Sequence, residues 1–117
     1  MFEGNAEAAM NLYVSLFPGS EVIKVLRHDD GKIMHATFSL NGQQFMCIDS
    51  SVSHGFTFTP ATSIYVNCET DTEIEHVFNT LSDSGKVLMP LGTYPFSKKY
   101  AWLTDKFGVS WQLSFNV

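Results

Sequence analysis

Basic residues are few in this chain, and they do not cluster. Seven Lys and Arg stand against twelve Asp and Glu, giving a net charge of −5 over 117 residues. The densest basic stretch is the pair Lys98-Lys99. A nucleic-acid partner requires a basic stripe or patch, so that class is excluded. No apolar run approaches the roughly 18 residues of a membrane helix, and no secretory leader pattern is recognisable. The expectation is a soluble, cytoplasmic protein with no membrane partner. Cysteine is scarce. Cys47 and Cys68 lack CxxC spacing, and two free, buried thiols are expected rather than a disulfide. Also missing is a glycine-rich strand-to-helix turn followed about 20 positions on by an acidic residue, the signature of a nucleotide-type cofactor site.

Aromatic residues are plentiful: ten Phe, four Tyr and two Trp. Such a load implies a packed interior, an aromatic pocket, or both. The length suits a single domain over 1–117 with one substantial core. Asn5 is placed to cap a helix, with Glu7 favourable to its dipole. Ala9, Leu12, Tyr13, Leu16 and Phe17 then form an apolar stripe, which Pro18-Gly19 ends. Strands follow at Glu21–Arg27, Ile33–Leu40 and Gln44–Asp49, joined by turns at Asp29-Asp30-Gly31 and Asn41-Gly42. A polar stretch, 51–62, reads as a linker. Beyond it come a strand at Ser63–Cys68 and a second helix carrying Ile74, Val77, Phe78 and Leu81. Thr72 with Glu75 has capping-box spacing, and Thr70 with Glu73 is the rival frame. Gly85 suits the C-terminal cap. Three more strands are expected at Val87–Leu91, Tyr100–Thr104 and Ser110–Phe115.

The last quarter is the most informative. Around the turn Asp105-Lys-Phe-Gly108, the final strand alternates. Val109, Trp111, Leu113 and Phe115 take one face; Ser110, Gln112 and Ser114 take the other. One face covers a core and the second lines something wet. The order of elements is also that of a duplicated unit. Module one is 1–50 and module two 63–117, with Leu12 matching Val77 at an offset of 65 residues. The first strand of module one is then reduced to about Met1–Glu3.

A βαβββ unit repeated twice resembles the vicinal-oxygen-chelate superfamily, which includes glyoxalase I and bleomycin-resistance proteins. More narrowly, the chain resembles its PhnB-like branch, often labelled a 3-demethylubiquinone methyltransferase domain. The residues carrying this are Phe2-Glu-Gly-Asn-Ala-Glu7 with Tyr13 and Leu16-Phe-Pro18, Phe58-Thr-Pro60, Val66-Asn-Cys-Glu-Thr70, and Trp102-Leu-Thr-Asp-Lys-Phe-Gly-Val-Ser-Trp-Gln-Leu113. The resemblance implies an α+β fold whose two modules form a cupped mixed sheet with helices outside. It also implies a homodimer that holds a small-molecule ligand in the concave face. Methyl transfer is disfavoured, because the cofactor turn is missing. The alternative is a metal-dependent lyase, isomerase or dioxygenase of the same superfamily, its ion acting as Lewis acid on paired substrate oxygens.

Metal-dependent members place one ligand on the first strand of each module and one on the last. By the resemblance those positions fall on Ser63, Gln112 and Cys47, with Asp49 on the same face as Cys47. Gln112 is a usual ligand type; Ser63 and Cys47 are not. No complete metal site and no cofactor are expected, although a weakly held divalent ion remains an alternative. The ligand-binding candidates are Cys47, Asp49, His54, Ser63, Tyr65, Asn67, Trp102 and Gln112. Tyr65 and Asn67 share a face with Ser63, and Tyr and Trp give rigid walls with a polar handle. His54 lies in the linker and could act as a base or a ligand contact. His28 and His76 read as surface groups. His35, on the face with Ile33 and Thr37, either enters the cup or sits on a sheet surface. Lys98-Lys99 reads as a solvated loop, with attraction of an anionic substrate group at the rim as the alternative, and Trp111 as core.

Overall fold

The computed structural model describes residues 1–116. The fold is α+β, and the chain divides into two compact units, Met1–Thr57 and Phe58–Val117.

Unit one begins with α1, Ala6–Leu16. It continues through β1 (Glu21–Arg27), β2 (Ile33–Leu40) and β3 (Gln43–Cys47), an antiparallel sheet in that spatial order. Asn41 and Gly42 have φ of 49° and 86°, the double left-handed turn that matches strand twist in a two-residue hairpin. The helix buries Ala6, Ala9, Met10, Tyr13 and Leu16, and the sheet contributes Ile33, Ala36, Phe38, Leu40 and Cys47 to the same core. The short first strand expected at Met1–Glu3 is one parallel bridge, Phe2 to Asp49. Asn5 occupies the N-cap position, but its side chain caps nothing. The Asp49 carboxylate does that work instead. Its Oδ1 accepts from the backbone N–H groups of Gly4 and Ala6, both at 2.9 Å. A negative group at the positive end of the helix serves dipole and hydrogen bonding together.

Unit two holds β4 (Ile64–Asn67), α2 (Asp71–Ser82), β5 (Lys86–Tyr94), β6 (Ser97–Thr104) and β7 (Ser110–Phe115). Its spatial order is β4-β7-β6-β5, with β4 parallel to β7 and the other pairs antiparallel. The capping box uses the Thr70 frame, not Thr72. Thr70 Oγ1 accepts from Glu73 N at 3.0 Å, and Glu73 Oε1 accepts from Glu69 N at 2.7 Å. Ile74, Val77 and Leu81 of α2 pack with Ala101, Leu103, Trp111 and Leu113, all 0–1 % exposed. Lys98 and Lys99 lie in β6 rather than a loop, and Lys99 Nζ pairs with Asp71 and Glu75 of α2. β5 and β6 are longer than the sequence suggests. The aromatic run Tyr94, Phe96 and Tyr100 packs across their hairpin, with ring centroids 4.8–5.7 Å apart, and carries the pairing out to Tyr94↔Ser97.

The duplication is real, but its offset is not constant. Val22 pairs with Phe38 as Val87 pairs with Leu103, 65 positions apart in each strand. Phe2 N donates to Ile48 O as Cys68 N donates to Ser114 O, a spacing of 66. The offset is thus 66 in the first strand, 65 from the helix caps Asn5 and Thr70 through the middle strands, and 66 again in the last strand; the second change falls in the last hairpin. Ser39 faces Gln44 across residues 40–43, whereas Thr104 faces Ser110 across the longer 105–109. The additional residue belongs to a turn closed by Asp105, whose carboxylate accepts from Phe107 N, Val109 N and Trp111 Nε1 at 2.9–3.1 Å.

Candidate functional site

That one-residue difference decides which side chains face away from each helix, because a strand alternates with period two. In unit two a continuous row runs across the sheet: Met89 opposite Trp102, Trp102 opposite Gln112, Gln112 opposite Tyr65. It lies on the face opposite Leu103, Trp111 and Leu113, the face that α2 covers. Its counterpart in unit one is Lys24, Thr37 and Met46. Gln112 therefore corresponds to Met46, not to Cys47.

Cys47 sits opposite Ala36 and shares the buried, helix-packing face with it. Burial pushes its thiol pKa up. Asp49 is 6 % exposed and is spent on backbone: Gly4 and Ala6 through Oδ1, Ile33 through Oδ2 at 3.0 Å. Burial pushes its carboxyl up, but the donors from Ala6, Ile33 and Gly4 together hold it below the usual value. It borders a groove of about 430 Å³ with His28, Asp29, Asp30, Lys32 and Ser51. His54 is exposed, with Nε2 2.8 Å from Ser50 Oγ and its ring stacked on Phe56 at 5.3 Å.

The five candidates of unit two are brought together. Ser63, Tyr65, Asn67, Trp102 and Gln112 share one face, and hydrogen bonds tie three of them, Ser63, Trp102 and Gln112, to Ser110 or Tyr100. Tyr100 OH donates to Gln112 Oε1 at 2.6 Å. Trp102 Nε1 donates to Ser110 Oγ at 2.9 Å, and Ser110 Oγ lies 2.7 Å from Ser63 Oγ. Tyr65 is 51 % exposed, whereas Ser110 and Tyr100 are buried. Burial, with Tyr65 and Tyr94 nearby, pushes the Tyr100 phenol up, so it remains a donor throughout the neutral range. Sequence reasoning missed Tyr100, Ser110 and Met89. Tyr100 was detectable as the residue two before Trp102 on the same strand; Met89 was hidden by register shifts in the β5–β6 pairing.

The metal positions implied by the superfamily can be tested on donor chemistry. A hard or borderline divalent ion requires free N or O donors. Gln112 Oε1 already accepts from Tyr100, Ser63 is tied to Ser110, and the unit-one counterpart of Gln112 is a thioether. This donor set does not fit such an ion. Among the described residues no three His, Cys, Asp or Glu side chains converge.

A family model described as 3-demethylubiquinone-9 3-methyltransferase matches residues 1–114. A PhnB protein from Bacillus cereus is 60 % identical, with 98 % of this chain and 94 % of that one aligned at a TM-score of 0.96. Protein PA1353 from Pseudomonas aeruginosa is 28 % identical, over 98 % and 92 % of the two chains, at 0.87. A lactoylglutathione lyase from Agrobacterium tumefaciens, 15 % identical over 98 % and 88 % at 0.61, shares the fold. A comparison with curated proteins finds no match.

Proposed function

Because the chain belongs to the family described as 3-demethylubiquinone-9 3-methyltransferase, the PhnB-like branch of the vicinal-oxygen-chelate superfamily, we propose that it binds a small organic molecule on the open face of unit two, without a catalytic metal. The family's name is a label; the glycine-rich strand-to-helix turn of a nucleotide-type cofactor site is missing from the sequence. The observation that carries the reading is the row Met89, Trp102, Gln112 and Tyr65. It sets two large rings around one amide on a rigid sheet. Rings supply contact area at low entropic cost, and a few fixed polar groups orient a ligand. Ser63 and Asn67 extend the same face.

A thermal-shift screen of planar organic molecules tests this. A ligand at a hundred times its Kd adds about 2.7 kcal/mol of stability. Tyr65→Ala and Trp102→Leu should abolish the shift, while Met46→Ala in unit one leaves it. Retention of the shift in both unit-two variants would reject the face. Stoichiometric metal after purification, lost in Gln112→Ala, would reject the metal-free part.

We further propose a homodimer, supported by apolar side chains left exposed on unit one (Leu26, Met34 and Met46). Sedimentation equilibrium should give twice the 13.1 kDa chain mass; a monomer overturns it. A cytoplasmic location agrees with the two free thiols. No helix among the described residues is long and apolar enough to cross a membrane.

A further inference from the structure

The hydrogen bonds already made on the open face of unit two limit what its side chains can offer a ligand. Gln112 is half-buried, and its carbonyl oxygen holds the proton of Tyr100. Tyr100 is 3 % exposed and braced edge-on by Tyr94 and Phe96, so it cannot swing aside cheaply. What Gln112 offers outward is its NH2 group. Ser110 is 2 % exposed and its oxygen accepts from Trp102. Either hydroxyl of the 2.7 Å Ser63–Ser110 contact can donate; the proton is assigned to Ser110, since a buried hydroxyl proton left without an acceptor is costly. Ser63, half-exposed, therefore presents its remaining proton outward. Both outward groups can donate, and the Gln112 NH2 group can do nothing else. They stand on neighbouring strands, offset by two residues, about 7 Å of rise along the strand direction, beside the rings of Tyr65 and Trp102.

We propose that the Tyr100–Gln112 and Trp102–Ser110–Ser63 hydrogen bonds fix this face as a donor surface, whose ligand is a flat organic molecule carrying a carboxylate or carbonyl oxygen. Tyr100 is then a positioning residue and Gln112 the specificity-determining one. The position that would hold a cation in a metal-dependent relative is turned toward anions and acceptors. This inference rests on the binding-face reading above.

Three matched probes separate the two: sodium benzoate, benzamidine hydrochloride and manganese chloride. Each is titrated into the full chain and followed in nitrogen–proton correlation spectra. The side-chain NH2 pair of Gln112 is identified by its loss in Gln112→Glu, which keeps the acceptor for Tyr100 but removes the donor. The ring NH of Trp102 reports arrival on the face. Benzoate should shift the Gln112 pair and the Trp102 signal together, with affinity at least about tenfold lower in Gln112→Glu; that variant should prefer benzamidine. Tyr100→Phe should weaken benzoate and let manganese broaden the Gln112 pair, which it does not do in the wild type. If benzamidine or manganese perturbs wild-type Gln112 and benzoate does not, the donor assignment falls while the face stands. The assignment also falls if benzoate binds wild type and Gln112→Glu alike. If no probe moves Trp102 or Gln112, the face falls, and the assignment with it.

Discussion

At the scale of the residue, the most consequential group in unit one is a carboxylate with a structural task. Asp49 gathers three backbone donors from segments far apart in sequence, Gly4, Ala6 and Ile33. It joins the entry of α1 to the start of β2. An Asn in its place keeps one acceptor and turns an NH2 toward a donor, so one contact becomes a clash of like groups. Hydrogen bonds to a charged partner contribute about 1.5–3 kcal/mol each, and an orphaned buried donor costs a similar amount. Asp49→Asn should therefore lose about 2 kcal/mol or more, measured by urea unfolding at pH 7. The folded carboxyl lies below its ordinary value of 3.8. Its contribution is complete above that value and disappears as pH falls through the lower folded one. Wild-type stability should drop along that acid limb, and Asp49→Asn should be flatter there. Equal stability at pH 7 with an identical acid limb would show that the three bonds carry nothing.

At the scale of the element, the alternation of β7 was legible: Trp111 and Leu113 inward, Gln112 outward, Asp105–Gly108 as the turn. The duplicated order was legible too, since helices and hairpins announce themselves through stripes, Pro18-Gly19 and Asn41-Gly42. Phase between the repeats was not. A constant offset of 65 pairs Gln112 with Cys47. The additional residue in 105–109 moves the partner to Met46, and periodicity cannot register an insertion inside a turn. The Asn5 cap failed for a related reason: the better acceptor, Asp49, is distant in sequence and close only after folding. Gly85 shows another kind of hidden constraint. It is not the C-terminal cap expected from the sequence: α2 ends at Ser82, Asp83 is its C-cap and Ser84 takes the left-handed conformation. Gly85 lies where the backbone passes against β6, and a Cβ there would stand 2.2 Å from Thr104 O and 3.1 Å from Leu81 O. Neither atom is a flexible side-chain tip. Gly85→Ala should therefore cost about 1–3 kcal/mol of overpacking, seen as a lower urea midpoint at unchanged slope. A variant at least as stable as wild type would mean that β6 yields freely.

At the scale of the whole molecule, the question is whether the two units and the 51–62 stretch behave as the single domain read from the sequence. We take them to be one cooperative domain, and the two cysteines supply the test, because each unit holds one. Cys47 belongs to unit one and Cys68 to unit two, and both are buried. Burial pushes both thiols up, Cys68 to about 12 with Glu73 adding to it. A thiol so placed is neither ionised nor accessible at pH 8, and only the thiolate reacts. Neither should react with Ellman's reagent in the native protein, and each should become reactive when its own unit opens. Cys47→Ala and Cys68→Ala variants then report the units separately along one guanidinium series. For one cooperative domain the two labelling midpoints coincide with each other and with the loss of Trp fluorescence. Were Cys47 to label well below the midpoint of Cys68, or the reverse, each unit would have its own stability. The open face of unit two could then stay folded, and keep its ligand, after unit one had melted.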